Sequence, residues 1–458
     1  MEDFGKLIEK QRKRFNSGET LGINFRRAQL KKFLDALRKN EKLLIEAAWK
    51  DLHKSEFETY ATELGLVYGE IKTAIRKVGK WAKPKRVATN LPNLPGGSYI
   101  HPEPYGNALI IGAWNYPYLL TLEPVVSAMA AGNTIILKPS ERTPGCSAAL
   151  SKVLNEAFEP EYFRVVEGGI PETQALLKEK FDYIFFTGST RVGKIIYKAA
   201  AENLTPVTLE LGGKSPCIVD WDANLKLAAK RITWGKFINA GQVCIAPDYL
   251  LVHKDVKDKL LAYLKKYIIQ FFGDDPQKSP DFVRIVNQSN FERLAALIER
   301  DKIYFGGQTD KNDLYISPTI LNNISWDERV MEDEIFGPIL PVLTFDDFLD
   351  TVELLKEKPK PLALYYFGAN RGKQKLITRE LSFGGGAIND VVMHITNTRL
   401  PFGGVGKSGI GNYHGKHGFD TFSHHKSVLR QTTLFDVPLK YPPYRDGILK
   451  IVKKVLEI

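Results

Sequence analysis

Ile184-Phe185-Phe186-Thr187-Gly188-Ser189-Thr190-Arg191-Val192-Gly193 reads as an apolar strand passing through a glycine turn into a helix. Such a passage aims backbone N–H groups and a helix N-terminus at one spot, where a pyrophosphate can sit. The glycine pattern is only G-S-T-x-x-G, short of the full dinucleotide fingerprint. An ordinary strand-to-helix turn therefore stays open as the alternative.

Working outward, apolar strands at residues 108–111, 134–137, 163–167 and 183–187 alternate with helix-length segments at 119–131 and 144–158. Strand and helix at this spacing predict βαβ units around a buried parallel sheet. A second alternating series follows Glu210, with strands near 217–219, 250–253, 340–345 and 362–367. Two α/β domains in tandem are the simplest account. The first eighty or so residues read as helices, since Leu30, Phe33, Leu34 and Leu37, and then Leu64, Val67, Ile71 and Ala74, recur at helical spacing. From Pro84 to Pro104 the composition turns to Pro, Gly, Asn and Thr around a short strand at 98–100, which predicts an extended arm or hairpin.

The 458 residues exceed one ordinary core. Hydrophobic and charged fractions of 43% and 26% are those of a globular protein, which excludes a disordered or membrane-embedded chain. The net charge of +11 is spread along solvated helix faces without a recognition motif, so no nucleic-acid partner is expected. Cys146, Cys217 and Cys244 are widely spaced and include no CxxC pair, which points away from disulfides and zinc and toward a reducing compartment. The charged stretch 1–14 lacks an apolar signal region, and the expected location is the cytoplasm.

Four other segments could carry chemistry. Lys138-Pro139-Ser140-Glu141 ends a strand and presents Lys138 and Glu141 at its carboxyl edge, either to ribose hydroxyls or simply to solvent. In Asn239-Ala240-Gly241-Gln242-Val243-Cys244 the thiol follows a Gly-Gln loop, unlike Cys146 and Cys217, which read as small core residues. Glu210 opens Glu210-Leu211-Gly212-Gly213-Lys214-Ser215-Pro216; a carboxylate is a poor thiolate activator and suits a later role as general base on water. In Trp114-Asn115-Tyr116-Pro117, Asn115 is either a turn residue or an amide donor to a developing oxyanion.

Together these motifs, with Glu334-Ile335-Phe336-Gly337-Pro338 and Pro401-Phe402-Gly403-Gly404, resemble the aldehyde dehydrogenase superfamily in order, from the helical start to about His425. Asn-Tyr-Pro after Trp114 and the ending through Tyr413-His414 and His424-His425 resemble its class three branch, whose members often oxidise aromatic or long-chain fatty aldehydes. The resemblance implies a Rossmann-type cofactor domain (1–82 and 105–208), a catalytic domain (209–395), and a small β oligomerisation arm with a C-terminal tail (83–104 and 396–458). It implies that Cys244 attacks the aldehyde, that Asn115 holds the oxyanion, and that Glu210 activates the hydrolytic water, with Glu334 competing for that last role. Cofactor contacts would come from Trp114, Lys138, Glu141, Gly188, Ser189, Gly193, Glu334, Phe336 and Phe402.

NAD is the expected cofactor, with NADP as the alternative, because a carboxylate at Glu141 repels a 2′-phosphate. Tyr116, Trp234 and Val243 are expected to line an apolar aldehyde pocket, with core packing the alternative for Trp234. The histidines have no ligand spacing, and no metal is expected. A homodimer is implied by the resemblance. The tail 446–458, with Ile448, Ile451, Val452, Val455 and Leu456 opposite Lys450, Lys453 and Lys454, reads as a helix docking on its own protein or a partner, or on a membrane surface. Two rival readings are an acylating enzyme that passes the thioester to coenzyme A, and a non-catalytic scaffold that keeps the fold.

Overall fold

The computed structural model describes residues 3–436 and 438–457, apart from the side chains of Leu439 and Val455; Met1, Glu2, Val437 and Ile458 lie outside the described residues. Two of the positions read as tail residues, the Val455 side chain and Ile458, are thus beyond it.

Among the described residues, two mainly parallel sheets, a three-stranded antiparallel arm and a two-stranded antiparallel pair (Thr309–Asp310 with Tyr315–Ile316) organise the α/β chain. In the first, Val207–Glu210, Tyr183–Thr187, Asn107–Ile111, Thr134–Lys138 and Phe163–Val165 run parallel in that order, with Gly409–Ile410 antiparallel on the outer side of Val207–Glu210. These strands are almost wholly buried, as expected where helices cover both faces. Helix Leu119–Ala131 is buried on every side, between the sheet and the amino-terminal helices Ile23–Lys39 and Gly65–Trp81. The second sheet runs Ile303–Phe305, Thr319–Leu321, Ile339–Phe345, Tyr249–His253, Pro216–Val219, Ala363–Phe367 and Gly385–Ile388, with only the first strand antiparallel to its neighbour.

The Pro-rich arm is a longer strand than the sequence suggests: Gly97–Pro104 pairs with Ser423–Arg430 along its whole length and with Lys85–Val87 only at residues 98–100. Pro102 and Pro104 are tolerated because that half of the strand has a single neighbour and no second ladder to feed. The C-terminal stretch read as arm and tail is more distributed than expected. Gly409–Ile410 joins the first sheet, helix Gly415–Thr421 packs on Leu119–Ala131, and only Ser423–Arg430 enters the arm.

The tail forms helix Asp446–Leu456, which rests on the turn at residues 91–93. Ile448 and Val452 are partly covered, whereas Leu449, Ile451 and Leu456 are exposed. No helix among the described residues is long and apolar enough to cross a membrane.

Candidate active site

Parallel register decides which side chains meet. Ile111 pairs with both Lys138 and Phe186, and Thr187 pairs with Glu210, so the loops after these strands emerge at one carboxyl edge of the first sheet. Ligands of open α/β sheets bind at such an edge. The edge carries Trp114 and Asn115, Lys138 to Glu141, the Gly188–Ser189 turn and Glu210.

The nucleophile loop is a sharp reversal. After helix Leu225–Phe237, residues Asn239, Ala240 and Gly241 take φ values of 51°, 49° and 69° in succession. Two of the three are not glycine, and such strain persists only where neighbours hold it. Here Asn239 Nδ2 donates to the carbonyls of Asn115 (2.9 Å) and Gln242 (3.1 Å), and the Asn239 N–H donates to Glu58 Oε1 at 2.9 Å. The Gln242 side chain donates to the carbonyls of Asn239 and Arg284 and accepts from the Val286 N–H. A Cβ at Gly241 would stand 2.3 Å from the Gly337 carbonyl oxygen, so only glycine fits there. The half-buried Cys244 thiol lies just beyond this turn.

Asn115, 2% exposed, gives one Nδ2 hydrogen to the Gln242 carbonyl at 2.9 Å. Its second amide hydrogen has no protein acceptor among the described residues. Glu210 is also 2% exposed, and neither carboxyl oxygen has a hydrogen-bond partner among the described residues. Burial alone pushes its pKa well above the ordinary carboxylate range. Glu334 lies across the Gly212–Gly213 backbone so closely that a Cβ at Gly212 would be 2.1 Å from Glu334 Oε2. Burial and the Asp248 charge push Glu334 up to about 8, against the Gly213 N–H, Lys214 and Arg293. Desolvation first, then Glu334 and Glu210, raise the Cys244 thiol above its ordinary value. Both carboxylates thus act on the thiol through their charge, and Asn115 is hydrogen-bonded to the same loop two residues before it, at Gln242.

Of the remaining residues expected at the site, Lys138 is buried, and its Nζ donates to the Pro139 carbonyl (3.0 Å) and to Glu141 (3.3 Å), whose carboxylate is half exposed. Ser189 caps helix Thr190–Glu202 by accepting from the Val192 N–H, and Gly193 packs against Leu211. Trp114 and Phe336 meet edge to face with ring centroids 5.3 Å apart. A cavity of about 1170 Å³ connects Ser189, Thr190, Gly212, Gly213 and Glu334, while Cys244 and Asn115 are not on its wall. Phe402 is 5% exposed, with its ring between those of His414 (5.2 Å) and His394 (6.2 Å); burial pushes His394 down to about 4, so it is neutral. Tyr116 and Val243 are buried, but Trp234 is 37% exposed, which removes core packing as its explanation.

Sequence reasoning missed Lys54, Glu58, Glu63 and Asn239, which hold the two loops, and Lys236, a buried amine without a hydrogen-bond partner among the described residues, whose pKa burial pushes down to about 8. The one local signal was Asn239, inside the quoted Cys244 motif.

The aldehyde dehydrogenase family model matches residues 1–428. The chain belongs to the aldehyde dehydrogenase family. It is 49% identical over 441 residues to the 4,4'-diaponeurosporen-aldehyde dehydrogenase of Staphylococcus aureus, covering 96% of each chain. It is 44% identical to human aldehyde dehydrogenase family 3 member B1 over 100% of this chain and 98% of that one. A dimeric NADP-preferring aldehyde dehydrogenase of Canis lupus familiaris is 43% identical over 97% of this chain and 98% of its own. The solved substrate-bound state of Staphylococcus aureus AldH superposes with a TM-score of 0.97 at 47% identity, with all of both chains covered. Within its family this aldehyde dehydrogenase lies in the class three branch.

Proposed function

We propose that this aldehyde dehydrogenase oxidises medium- or long-chain aliphatic or aromatic aldehydes to carboxylic acids through a thioester on Cys244. The observation that carries the reading is the convergence of a strained, tightly held cysteine loop, an amide with a free hydrogen and a buried carboxylate with both oxygens unpartnered. Cys244 Sγ, once deprotonated, bonds to the carbonyl carbon. The oxygen accepts from Asn115 Nδ2 and the Cys244 N–H, which stabilise the negative charge it gains. Glu210 then takes a proton from water, whose oxygen attacks the thioester carbon and returns the thiol. Glu334 is less suited to that task because the Gly213 N–H, Lys214 and Arg293 already engage it. An acylating enzyme would have no use for Glu210.

The residues present fit a nicotinamide dinucleotide. Ser189 and Thr190 open the start of helix Thr190–Glu202 to the cavity, with Gly188 before them and Gly193 one turn on; Lys138 and Glu141 would hold the adenine ribose, and Trp114, Glu334, Phe336 and Phe402 the nicotinamide half. When bound, the cofactor supplies the two-electron oxidising power that separates a thiohemiacetal from a thioester. Tyr116, Trp234 and Val243 would line the aldehyde pocket. Because Glu141 would face a 2′-phosphate, hexanal and benzaldehyde should both yield reduced nicotinamide with a higher kcat/KM for NAD than for NADP. An NADP value equal to or above that for NAD would overturn the preference; no oxidation of either aldehyde would overturn the activity.

Homodimerisation and a cytoplasmic location belong to the same proposal, supported by the dimeric relative and by three free cysteines. The exposed Leu449, Ile451 and Leu456, beside Lys450, Lys453 and Lys454, suit a membrane surface. Full-length protein should sediment with anionic liposomes more than a chain ending at Tyr444, and equal sedimentation would dismiss the membrane role.

A further inference from the structure

The loop that carries Asn115 runs from strand Asn107–Ile111 to helix Leu119–Ala131, and it is held by an ion pair from a distant part of the chain. Lys54 and Glu63 are both fully buried, with Nζ 2.7 Å from Glu63 Oε1. Lys54 Nζ also donates to the Asn115 carbonyl at 3.1 Å and stands 4.3 Å from the centroid of the Tyr116 ring. The other carboxyl oxygen of Glu63 accepts from the Tyr118 and Leu119 N–H groups, at 2.8 and 3.2 Å. Helix Leu119–Ala131 has no side-chain cap of its own, so this remote carboxylate satisfies its first amides.

Glu63 sits in a π-helical segment, Tyr60–Leu64, and such segments interrupt helices mostly where function demands a displaced side chain. Burying two charges is costly, and apolar residues of similar volume would often serve stability as well. What the pair provides that apolar residues cannot is hydrogen bonds to the middle and the end of one loop.

We infer that Lys54 is a positioning residue: with Glu63 it fixes the backbone of Asn115, so that the Asn115 amide is aimed at the oxygen of the bound aldehyde before reaction begins. This rests on the oxyanion role proposed for Asn115. Removal of the Lys54 charge should therefore lower kcat while leaving cofactor binding alone, because the contact is to the Asn115 loop and not to the dinucleotide edge at Lys138 and Ser189.

The test is a cycle of Lys54→Met and Asn115→Ala. Lys54→Met should lower kcat by about ten-fold or more with the KM for NAD unchanged, and Lys54→Arg should recover part of the loss. In the Asn115→Ala background the same substitution should change kcat by less than about two-fold, since the group it acts through is gone. Because Lys54→Met alone leaves the Glu63 carboxylate buried and unpaired, Lys54→Met with Glu63→Gln is measured beside it and should show the same kcat loss. Equal losses in both backgrounds, or parental kcat in the Lys54→Met/Glu63→Gln protein, would overturn the positioning role. Unchanged kcat in Asn115→Ala alone would instead overturn the oxyanion assignment on which it rests.

Discussion

Cys244→Ala should lower kcat/KM for aldehyde oxidation by about 10⁴-fold or more, since no other group can form the covalent bond. Intact mass under turnover should show an acyl adduct on the parent protein and none on the variant. The pH dependence follows from the thiol's surroundings. Desolvation, Glu334 and Glu210 all oppose the thiolate, so the pKa is raised and at neutral pH the sulfur is mostly protonated. Below that pKa the thiolate fraction grows about ten-fold per pH unit, and alkylation of the free protein by iodoacetamide should accelerate at that slope from pH 7 to 9 without levelling off. Cys146 and Cys217 are fully buried with thiols also shifted far upward, so a single adduct is expected. A plateau near neutrality would mean that the thiolate is stabilised by a cation that the geometry does not reveal. A Cys244→Ala protein that still oxidises hexanal would end the thioester reading.

What could be read from the sequence depended on whether a role leaves a local pattern. Tyr183–Thr187 and Leu119–Ala131 were legible to the residue because each is a mostly apolar stretch, the second broken only by Thr121, Glu123, Pro124 and Ser127, and a glycine follows each. Gly385–Ile388, Thr319–Leu321 and Gly409–Ile410 were missed: they are short, and two of them are glycine-bearing, so they owe their extended form to neighbours already in place. Strand 163–167 ends earlier than expected, at Val165, where the chain turns toward Gly168 at a φ of 136°. Among site residues, Cys244, Glu210 and Asn115 sit in motifs and were legible as a set. Lys54 and Glu63 were not, because a lysine and a glutamate nine positions apart look like any solvated pair until the fold encloses them. Trp234 shows the converse: the sequence left pocket lining and core packing both open for it, and only the structure, which leaves it 37% exposed, decides against the core.

Glu210→Gln should uncouple the two halves of the reaction. The amide keeps the size of the side chain but cannot accept a proton from water, so the thioester forms and is not hydrolysed. Steady-state turnover should fall by about 10² to 10⁴-fold, while rapid mixing with aldehyde and NAD still yields a burst of about one equivalent of reduced nicotinamide and an acylated mass on Cys244. The sign of the pH effect is set by burial: the Glu210 pKa is raised, the base must be the carboxylate, and so thioester hydrolysis by the parent protein should quicken as pH rises through neutrality. The Glu210→Gln protein should lose that slope. Glu334→Gln provides the contrast, since Glu334 is held by the Gly213 N–H and is pushed up only to about 8; its loss should weaken nicotinamide binding without accumulating thioester. Were Glu334→Gln to accumulate the acyl species while Glu210→Gln turned over normally, the base would be Glu334, and the two unpartnered oxygens of Glu210 would need another explanation.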